Sequence, residues 1–262
     1  MNTINCSVYI ITKDVATWIA DTLTSVQDFA EVIIVDSGST DDTLVIAKQF
    51  PNVTIYHQDW LGFAQQKTVA LNYCQYDWVL NLDGDEVCSA ELKQDIQAAM
   101  ADSTVFGLTV PINDYFLNQK NSEFTKKHAK IRSFRHGFGR YDLTNTAHEQ
   151  VIVDGNVIMA KGNIYHFGEN SIFIKVDKNN RYSELKAQEK FAKHKKPTLL
   201  KLMMVMPLTF MKSYFLLRNF LNGWRGFVGS MINAFYAFLK EAKLFEQYQK
   251  HQPQNTNLKS GQ

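Results

Sequence analysis

The sequence predicts an α/β fold, in which a mainly parallel sheet is flanked by helices, with an amphipathic helical extension at the C-terminal end. Apolar strand-like segments alternate with helix-like segments as far as Glu86. The strand-like segments end in polar residues, and glycines mark several of the turns. Because parallel strands need helical crossovers, this alternation is typical of βα units. The predicted strands are Cys6–Ile11, Glu31–Val35, Val53–Tyr56 and Trp78–Leu82.

The helices predicted between these strands rest on apolar spacing and on capping signals. Ile19, Leu23 and Val26 fall on one face of the first helix. A polar residue before a helix accepts hydrogen bonds from its free N–H groups, so Asp14 is the predicted N-cap. The predicted helices are Asp14–Val26, Thr43–Phe50, Phe63–Cys74, and one that begins after Ser89 and reaches Met100. Residues 40–42 are expected to cap the second of them. A strand, Val105–Val110, is predicted to follow the last helix and to end at Pro111.

Composition limits the class of protein. The 262 residues, 45% hydrophobic and 21% charged, suffice for one large domain and an appendage. A net charge of +2 argues against a strongly cationic nucleic-acid binder, so we expect no nucleic-acid partner. The three cysteines are scattered and lack zinc-type spacing, which favours a reducing, cytoplasmic setting.

An acidic cluster closes the strand Trp78–Leu82. Asp83 and Asp85 alternate along an extended backbone and can face the same side, and Gly84 lets a ligand approach closely. Hard oxygens in this arrangement suit Mg²⁺ or Mn²⁺, which take further oxygens from a phosphate. The cluster therefore predicts a metal-bound phosphate or diphosphate, although Asp and Gly also form ordinary turns after strands.

A second aspartate, Asp36, follows another predicted strand. Ligands of open parallel sheets bind beyond the carboxyl ends of the strands, where both Asp36 and Asp83 are expected. Asp36 is a candidate acceptor for a ribose hydroxyl or a base N–H; the alternative is a loop residue that caps the next helix. Neither a G-x-G-x-x-G turn nor a G-x-x-x-x-G-K-[ST] loop is present, so a nucleotide must be held differently.

Four motifs occur in order along the predicted domain. They are Ile11-Thr12-Lys13-Asp14, Val35-Asp36-Ser37-Gly38-Ser39-Thr40-Asp41, Gly62-Phe63-Ala64-Gln65-Gln66-Lys67 and Leu82-Asp83-Gly84-Asp85-Glu86. Together they resemble the family 2 glycosyltransferases, which have the GT-A fold, a Rossmann-like α/β sheet. The resemblance covers about residues 4–170. This sequence has glycine at position 84, where many relatives have alanine, and Lys13-Asp14, where Asn-Glu is common.

The resemblance implies a role for each matched residue. Asp83 and Asp85 would bind Mg²⁺ or Mn²⁺ bridging the diphosphate of a nucleotide sugar, and Asp36 would contact the nucleoside. GT-A enzymes often supply a histidine from a later region, so His166 is a further candidate metal ligand. The remaining donor-binding candidates in the matched motifs are Thr12, Ser37 and Lys67.

Glu149 is the candidate catalytic base. A zinc-protease helix would need a second histidine four residues after His148, and Ile152 stands there. The His148-Glu149 pair is similar to one in the lipopolysaccharide-core branch of the family. Inverting sugar transfer needs a base for the acceptor hydroxyl, and partial burial would raise the pKa of a glutamate toward neutrality. The alternative is a salt-bridged surface residue.

Two arginines, Arg132 and Arg135, lie on an extended segment before a Gly-Phe-Gly turn that we expect to be flexible. Their guanidinium groups are expected either to be solvated or to bind anionic groups of the donor or acceptor.

The C-terminal third contains an apolar segment within residues 197–220. Lys201, Pro207 and Lys212 interrupt it, which favours helices lying in a membrane interface over a spanning helix. The alternatives are a core segment or a dimer face. The predicted organisation is a catalytic domain, 1–170, a helical membrane-surface extension, 171–250, and a disordered tail, 251–262.

The leading functional hypothesis is an inverting glycosyltransferase. By resemblance it would move a hexose, first of all glucose, from a UDP-linked donor to a lipid-linked acceptor such as the lipopolysaccharide inner core. It would work in the cytoplasm, peripherally on the inner membrane. Two alternatives are open: a haloacid-dehalogenase-like phosphatase that uses Asp83 and Asp85, and a non-catalytic nucleotide-sugar-binding subunit.

Overall fold

All four predicted strand–helix units are present in the structure, a computed structural model that describes residues 3–143 and 150–251. The described chain forms two units. The first comprises Met1–Asn121 and Lys126–Asn170, and the second comprises Ser122–Thr125 and Ser171–Gln262. Except for His251, the predicted tail lies outside the described residues.

The first unit contains helices on both faces of a mixed sheet. Its helices are α1 (Ala16–Thr24), α2 (Thr43–Ala47), α3 (Phe63–Asn72) and α4 (Ala90–Ala101). Its strands are β1 (Ile4–Thr12), β2 (Phe29–Asp36), β3 (Val53–His57), β4 (Trp78–Asp83), β5 (Glu86–Cys88), β6 (Gly107–Phe116), β7 (Gln119–Lys120), β8 (His128–Arg135), β9 (Gly139–Tyr141), β10 (Val151–Val153), β11 (Val157–Met159) and β12 (Ile164–Glu169).

Strand order places the ends of the first strands together. Among the described residues the main sheet runs β3-β2-β1-β4-β8-β6-β12-β5, with β7 and β11 also paired to β6. Strand β1 is parallel to β2 on one side and to β4 on the other, so the order reverses there. The register pairs Thr12 with Asp36 and Ile11 with Asp83. These carboxyl ends are therefore the expected ligand edge of the sheet.

Alternation along the central strands builds a core on each face of the sheet. Val8 and Ile10 of β1 pack in a cluster with Leu23 of α1. Tyr9 points to the opposite face, where its cluster includes Ala70 of α3. Because successive side chains of a strand point to opposite faces, a strand covered on both sides reads as a continuous apolar run.

Two local predictions were wrong. Val15, not Asp14, occupies the N-cap position of α1, and the Asp14 carboxylate accepts a hydrogen bond from the Thr40 N–H (2.7 Å). Strand β6 also continues through Pro111. The reason is its position: β11 pairs with β6 up to Thr109, and β12 begins pairing at Ile112. The missing N–H of Pro111 falls in the gap between the two partner strands.

The second unit is helical. It contains α5 (Ile172–Ala192), α6 (Leu199–Met211), a π-helical turn (Lys212–Leu216), a 3₁₀ turn (Asn219–Asn222) and α7 (Gly223–Lys250). Both α5 and α6 pack against α7. The face that α7 buries has mostly small residues at helical spacing, which lets the helices approach closely; it consists of Gly226, Ser230, Ala234, Ala237, Glu241 and Leu244.

Helix α6 leaves many of its apolar side chains exposed. None of its residues is buried in the described part of the chain, which argues against a core segment. By length and composition alone, Leu199–Leu216 is the one stretch among residues 3–143 and 150–251 that could cross a membrane. Interfacial binding remains a prediction.

A buried ion pair holds the helices of the second unit. The Glu241 carboxylate is 3% exposed; it is paired with Lys190 of α5 and lies 3.4 Å from Lys201 of α6. Burial alone would raise the pKa of Glu241, but the two ammonium groups outweigh it and lower the pKa below its usual value. The stabilisation is therefore present at neutral pH and is lost as the pH falls through that lowered pKa.

Glu241→Gln is expected to lower the free energy of unfolding by about 2 kcal/mol at pH 7, because the hydrogen-bonded charge pairs are lost in a buried position. Urea unfolding measures the change. The matched control is Glu246→Gln, whose carboxylate is half exposed and pairs with Lys250; its effect should stay below about 0.5 kcal/mol. Equal losses of unfolding free energy in the two variants would contradict a stabilising role of the buried Glu241 ion pair.

Candidate active site

The turn after β2 is held by the carboxylate of Asp36. One oxygen accepts hydrogen bonds from the N–H groups of Gly38 (2.8 Å) and Ser39 (2.9 Å). The other accepts from the hydroxyls of Ser39 (2.5 Å) and Thr12 (3.2 Å). Gly38 has φ +86°, a backbone conformation that suits glycine.

These contacts bear on the predicted role of Asp36. Its residue is 2% exposed, and its four lone-pair positions accept hydrogen bonds from the chain. Burial would raise its pKa, but the hydrogen bonds from Ser39, Gly38 and Thr12 hold the pKa below the usual range. The geometry favours the loop-forming interpretation, and contact with the nucleoside stays a prediction.

Gln66 links this turn to the loop after β3. Its side-chain amide donates to the Ser37 hydroxyl (2.9 Å) and to the Gln58 carbonyl (2.9 Å), while its oxygen accepts from the Leu61 N–H (3.3 Å). Gln66 is fully buried. The hydroxyl of Ser37, a predicted donor-binding residue, is thus part of a hydrogen-bond network within the protein. No role was predicted for Gln66.

Asp83 lies between two buried cations. Lys67 Nζ, 1% exposed, is 2.7 Å from Asp83 Oδ1, and Arg132 Nη2 is 3.3 Å from Oδ2. Burial alone would raise the pKa of Asp83, but Lys67 and Arg132 hold it well below its usual range. Asp83 is therefore an anionic group whose charge is compensated within the protein.

Arg132 is not a solvated residue. It is 4% exposed, and it donates to Asn81 Oδ1 (2.7 Å) and to Glu86 Oε1 (2.5 Å) as well as contacting Asp83. Arg135 is also structural: it stacks on Trp78 and donates to the Val105 carbonyl (3.0 Å). The solvated alternative for Arg132 is therefore wrong. Binding of donor or acceptor anions by the two arginines stays a prediction.

Asp85 faces a histidine rather than a lysine or an arginine. Its Oδ2 lies 3.4 Å from His166 Nε2, and His166 Nδ1 lies 2.8 Å from Asp114 Oδ1. Burial lowers the pKa of His166, but the carboxylates of Asp114 and Asp85 outweigh it and raise the pKa to about 10. Phe167 fixes the segment, because its N–H donates to the Asp85 carbonyl (3.0 Å) and its ring stacks on Trp18.

Two glycines leave room around these acidic residues. A Cβ added to Gly168 would lie 2.1 Å from Asp85 Oδ2, so only glycine accommodates the carboxylate in this position. A Cβ on Gly84 would lie 2.9 Å from Val15 Cγ2. The side chain of Val15 thus occupies the space that an alanine at position 84 would need.

A metal site built from Asp83, Asp85 and His166 together is not assembled. No group of three His, Cys, Asp or Glu side chains in the described ranges is arranged to hold a metal ion. Asp83 is turned toward Lys67 and Arg132 instead. Asp85 and His166 still fit a divalent cation as a partial site, because the other nitrogen of His166 contacts a carboxylate, as in many metal-binding histidines.

The predicted base Glu149 lies outside the described residues, which resume at Gln150. The two strands nearest to it in sequence are paired: β9 and β10 are antiparallel, and Tyr141 is opposite Val151. The hydroxyl of Tyr141 also hydrogen-bonds that of the buried Tyr9 (2.6 Å). The base assignment stays a prediction.

Sequence comparison decides the family. The profile of glycosyl transferase family 2 matches residues 7–162. The chain is a family 2 glycosyltransferase. It is 32% identical over 249 residues to the lipopolysaccharide core biosynthesis glycosyltransferase LpsC of Rhizobium meliloti, covering 92% of each chain. It is 35% identical over 254 residues to an uncharacterised glycosyltransferase of Rickettsia typhi, covering 92% of this chain and 86% of that protein.

Structural comparison confirms the GT-A fold predicted for this family 2 glycosyltransferase. The structure of S. aureus TarS in complex with UDP-GlcNAc aligns with a TM-score of 0.50 at 15% identity, over 95% of this chain and 93% of that one. At this identity the likeness concerns the fold alone. Family membership also sets aside the phosphatase alternative, since Asp83 and Asp85 are part of the glycosyltransferase motif.

Proposed function

We propose that the protein is an inverting, cation-dependent hexosyltransferase that uses a UDP-linked sugar, first of all UDP-glucose, and a lipid-linked glycan such as the lipopolysaccharide inner core. The observation that carries the proposal is the Asp85–His166 pair at the carboxyl edge of a family 2 sheet, with Gly168 leaving room for the carboxylate. The name of LpsC supports the acceptor class, and the UDP-GlcNAc complex of TarS supports the donor class.

The donor lies, in this proposal, along the edge formed by the ends of β1, β2 and β4. Thr12, Asp36 and Ser37 border the nucleoside, and Lys67 and Asp83 border the diphosphate. Asp85 and His166 would hold Mg²⁺ or Mn²⁺. When bound, the cation would supply positive charge that stabilises the departing diphosphate.

Glu149 acts as the base in the proposed reaction. It accepts the proton of the acceptor hydroxyl, whose oxygen attacks the anomeric carbon from the face opposite the diphosphate. The bond between that carbon and the diphosphate oxygen breaks, and the nucleoside diphosphate leaves. Attack from the opposite face inverts the configuration at the anomeric carbon.

A ligand screen followed by a transfer assay tests the function. The melting temperature is measured with UDP-glucose, UDP-galactose, UDP-GlcNAc and GDP-mannose, each with and without Mn²⁺; a true donor raises it by mass action. Transfer to purified lipopolysaccharide-core acceptors is then measured with that donor. Stabilisation without any transfer or hydrolysis would support a non-catalytic nucleotide-sugar-binding subunit, and no stabilisation would overturn the proposal.

The helical unit supports binding to the cytoplasmic face of the inner membrane. Leu200 and Leu208 of α6 are 70% and 59% exposed, and Lys201 and Lys212 are interspersed among the apolar residues. Soluble monomers rarely expose large contiguous apolar patches. Apolar side chains next to lysines fit an interface that contains acyl chains and anionic headgroups.

The double variant Leu200→Glu/Leu208→Glu is expected to weaken binding to anionic phospholipid vesicles by about tenfold or more, since two leucines no longer enter the interface. Vesicle flotation measures the bound fraction. The control is Val45→Glu, which changes an equally exposed residue, 61%, of the first unit. If the face instead pairs two copies of the chain, wild type will sediment as a dimer without lipid and the variant as a monomer.

A further inference from the structure

Arg132 connects three polar groups of the acidic strand and the turn after it. Its Nη1 donates to Asn81 Oδ1 at 2.7 Å, and its Nη2 contacts Glu86 Oε1 at 2.5 Å and Asp83 Oδ2 at 3.3 Å. Arg132 and Glu86 are 4% and 3% exposed. An ion pair taken this far out of water is costly unless its geometry is good and its partners are satisfied.

Glu86 ties the same network to the opposite side of the site. Its Oε2 accepts a hydrogen bond from the Asp83 N–H (2.8 Å), which fixes the backbone at the start of the turn. Strand β5 pairs with β12 in a register that places Glu86 opposite His166. Glu86 therefore contacts the turn through its side chain and pairs with β12, the strand that contains His166, through its backbone.

The two aspartates of the turn consequently differ in what they face. Asp83 has Lys67 on one oxygen and Arg132 on the other. Asp85 faces one partly exposed imidazole, that of His166, at 3.4 Å. The two buried cationic side chains at Asp83 repel a divalent cation more strongly than this single imidazole does, so the cation is directed to Asp85.

We propose that Arg132 and Glu86 are positioning residues, which hold Asp83 against the protein and present Asp85 as the carboxylate that ligates the cation. The inference rests on the proposed function. It explains why Asp85, and not Asp83, would ligate the cation. Arginine suits this task because its planar group contacts several oxygens at once, whereas a lysine at the same position would not reach all three.

The test compares Arg132→Lys with Arg135→Lys. Both change an arginine of β8 to lysine, but Arg135 contacts Trp78 and backbone carbonyls and no acidic residue of the turn in any contact described above. Isothermal titration measures the Kd for Mn²⁺ in the presence of UDP, and chemical unfolding measures stability. Arg132→Lys should raise the Kd about tenfold or more, as loss of a residue that orients a metal ligand does. Arg135→Lys should leave the Kd within about twofold of wild type while lowering stability.

Glu86→Gln provides a second variant if Arg132→Lys does not fold. It keeps an oxygen for the Asp83 N–H but removes the charge that holds Arg132, and it should raise the Kd in the same direction. The double variant Arg132→Lys/Glu86→Gln should then raise the Kd by less than the product of the two single fold-changes, because both substitutions act on one network.

Three results separate the possible failures. Wild type that does not bind Mn²⁺ with UDP would overturn the proposed function and this inference with it. Normal wild-type binding with an unchanged Kd in Arg132→Lys and Glu86→Gln would overturn the inference alone. Equal increases in Arg132→Lys and Arg135→Lys would show a general structural effect, and would also overturn it.

Discussion

Asp85→Asn is expected to lower the rate of sugar transfer by about 10³-fold or more, the scale on which loss of a key electrostatic group acts. The Asp85 carboxylate faces the imidazole of His166, whereas Asp83 faces both Lys67 and Arg132, so a divalent cation meets less positive charge at Asp85. The amide is nearly isosteric but neutral, and it should lose the cation together with the affinity for the donor diphosphate. A discontinuous assay of labelled-sugar transfer measures the rate, and titration with UDP and Mn²⁺ measures binding.

Glu149→Gln separates cation binding from proton transfer. If Glu149 is the base, this variant should bind UDP and Mn²⁺ like wild type but transfer sugar about 10² to 10⁴ times more slowly. Asp177→Asn is the neutral control, because Asp177 pairs with the exposed Arg181 on α5. An equal loss of donor affinity in Asp85→Asn and Glu149→Gln would refute the division of roles between the two residues.

Gly168→Ala is expected to inactivate the enzyme without unfolding it. The added Cβ would stand 2.1 Å from Asp85 Oδ2 and 3.1 Å from His166 Nε2. The atom that must move is the end of an aspartate side chain, so the protein can relieve the clash by turning Asp85 away. Stability should change by less than about 1 kcal/mol, while the affinity for Mn²⁺ with UDP and the rate of transfer should fall about 10²-fold or more.

Gly137→Ala is the matched control for this substitution. A Cβ at Gly137 meets no atom within 4 Å among the described residues, and its backbone does not adopt a positive φ. Both variants therefore add one methyl group at a position whose backbone alanine can adopt. Comparable losses of activity in the two variants would show that the Asp85 carboxylate is not what Gly168 protects.

Arg132 shows why part of this site could not be predicted from sequence. A charged residue between apolar positions is usually solvated, which made a surface or ligand-binding role the natural expectation. The structure buries it because three acceptors, Asn81, Asp83 and Glu86, converge on it from 46 to 51 residues away along the chain. The flanking Ile131 and Phe134 were the available signal, since they mark the segment as a covered strand.

His166 and Asp114 illustrate the same limit. A lone histidine in an apolar segment gives no indication of its partner, and Asp114 lay beyond the proline that was expected to end its strand. The parallel pairing of β12 with β6 places His166 opposite Asp114. Asp85 lies next to the other ring nitrogen, Nε2, in space that Gly168 leaves open.

The sequence by itself determined the strand–helix order, the family, and the acidic residues at the ends of β2 and β4, because apolar periodicity and short motifs are local properties of the chain. Tertiary structure alone decided that Asp83 is neutralised by Lys67 and Arg132, whereas Asp85 faces His166. The physical reason is that the charge balance of a carboxylate depends on which distant side chains packing brings within a few ångströms, and a linear pattern does not contain that distance.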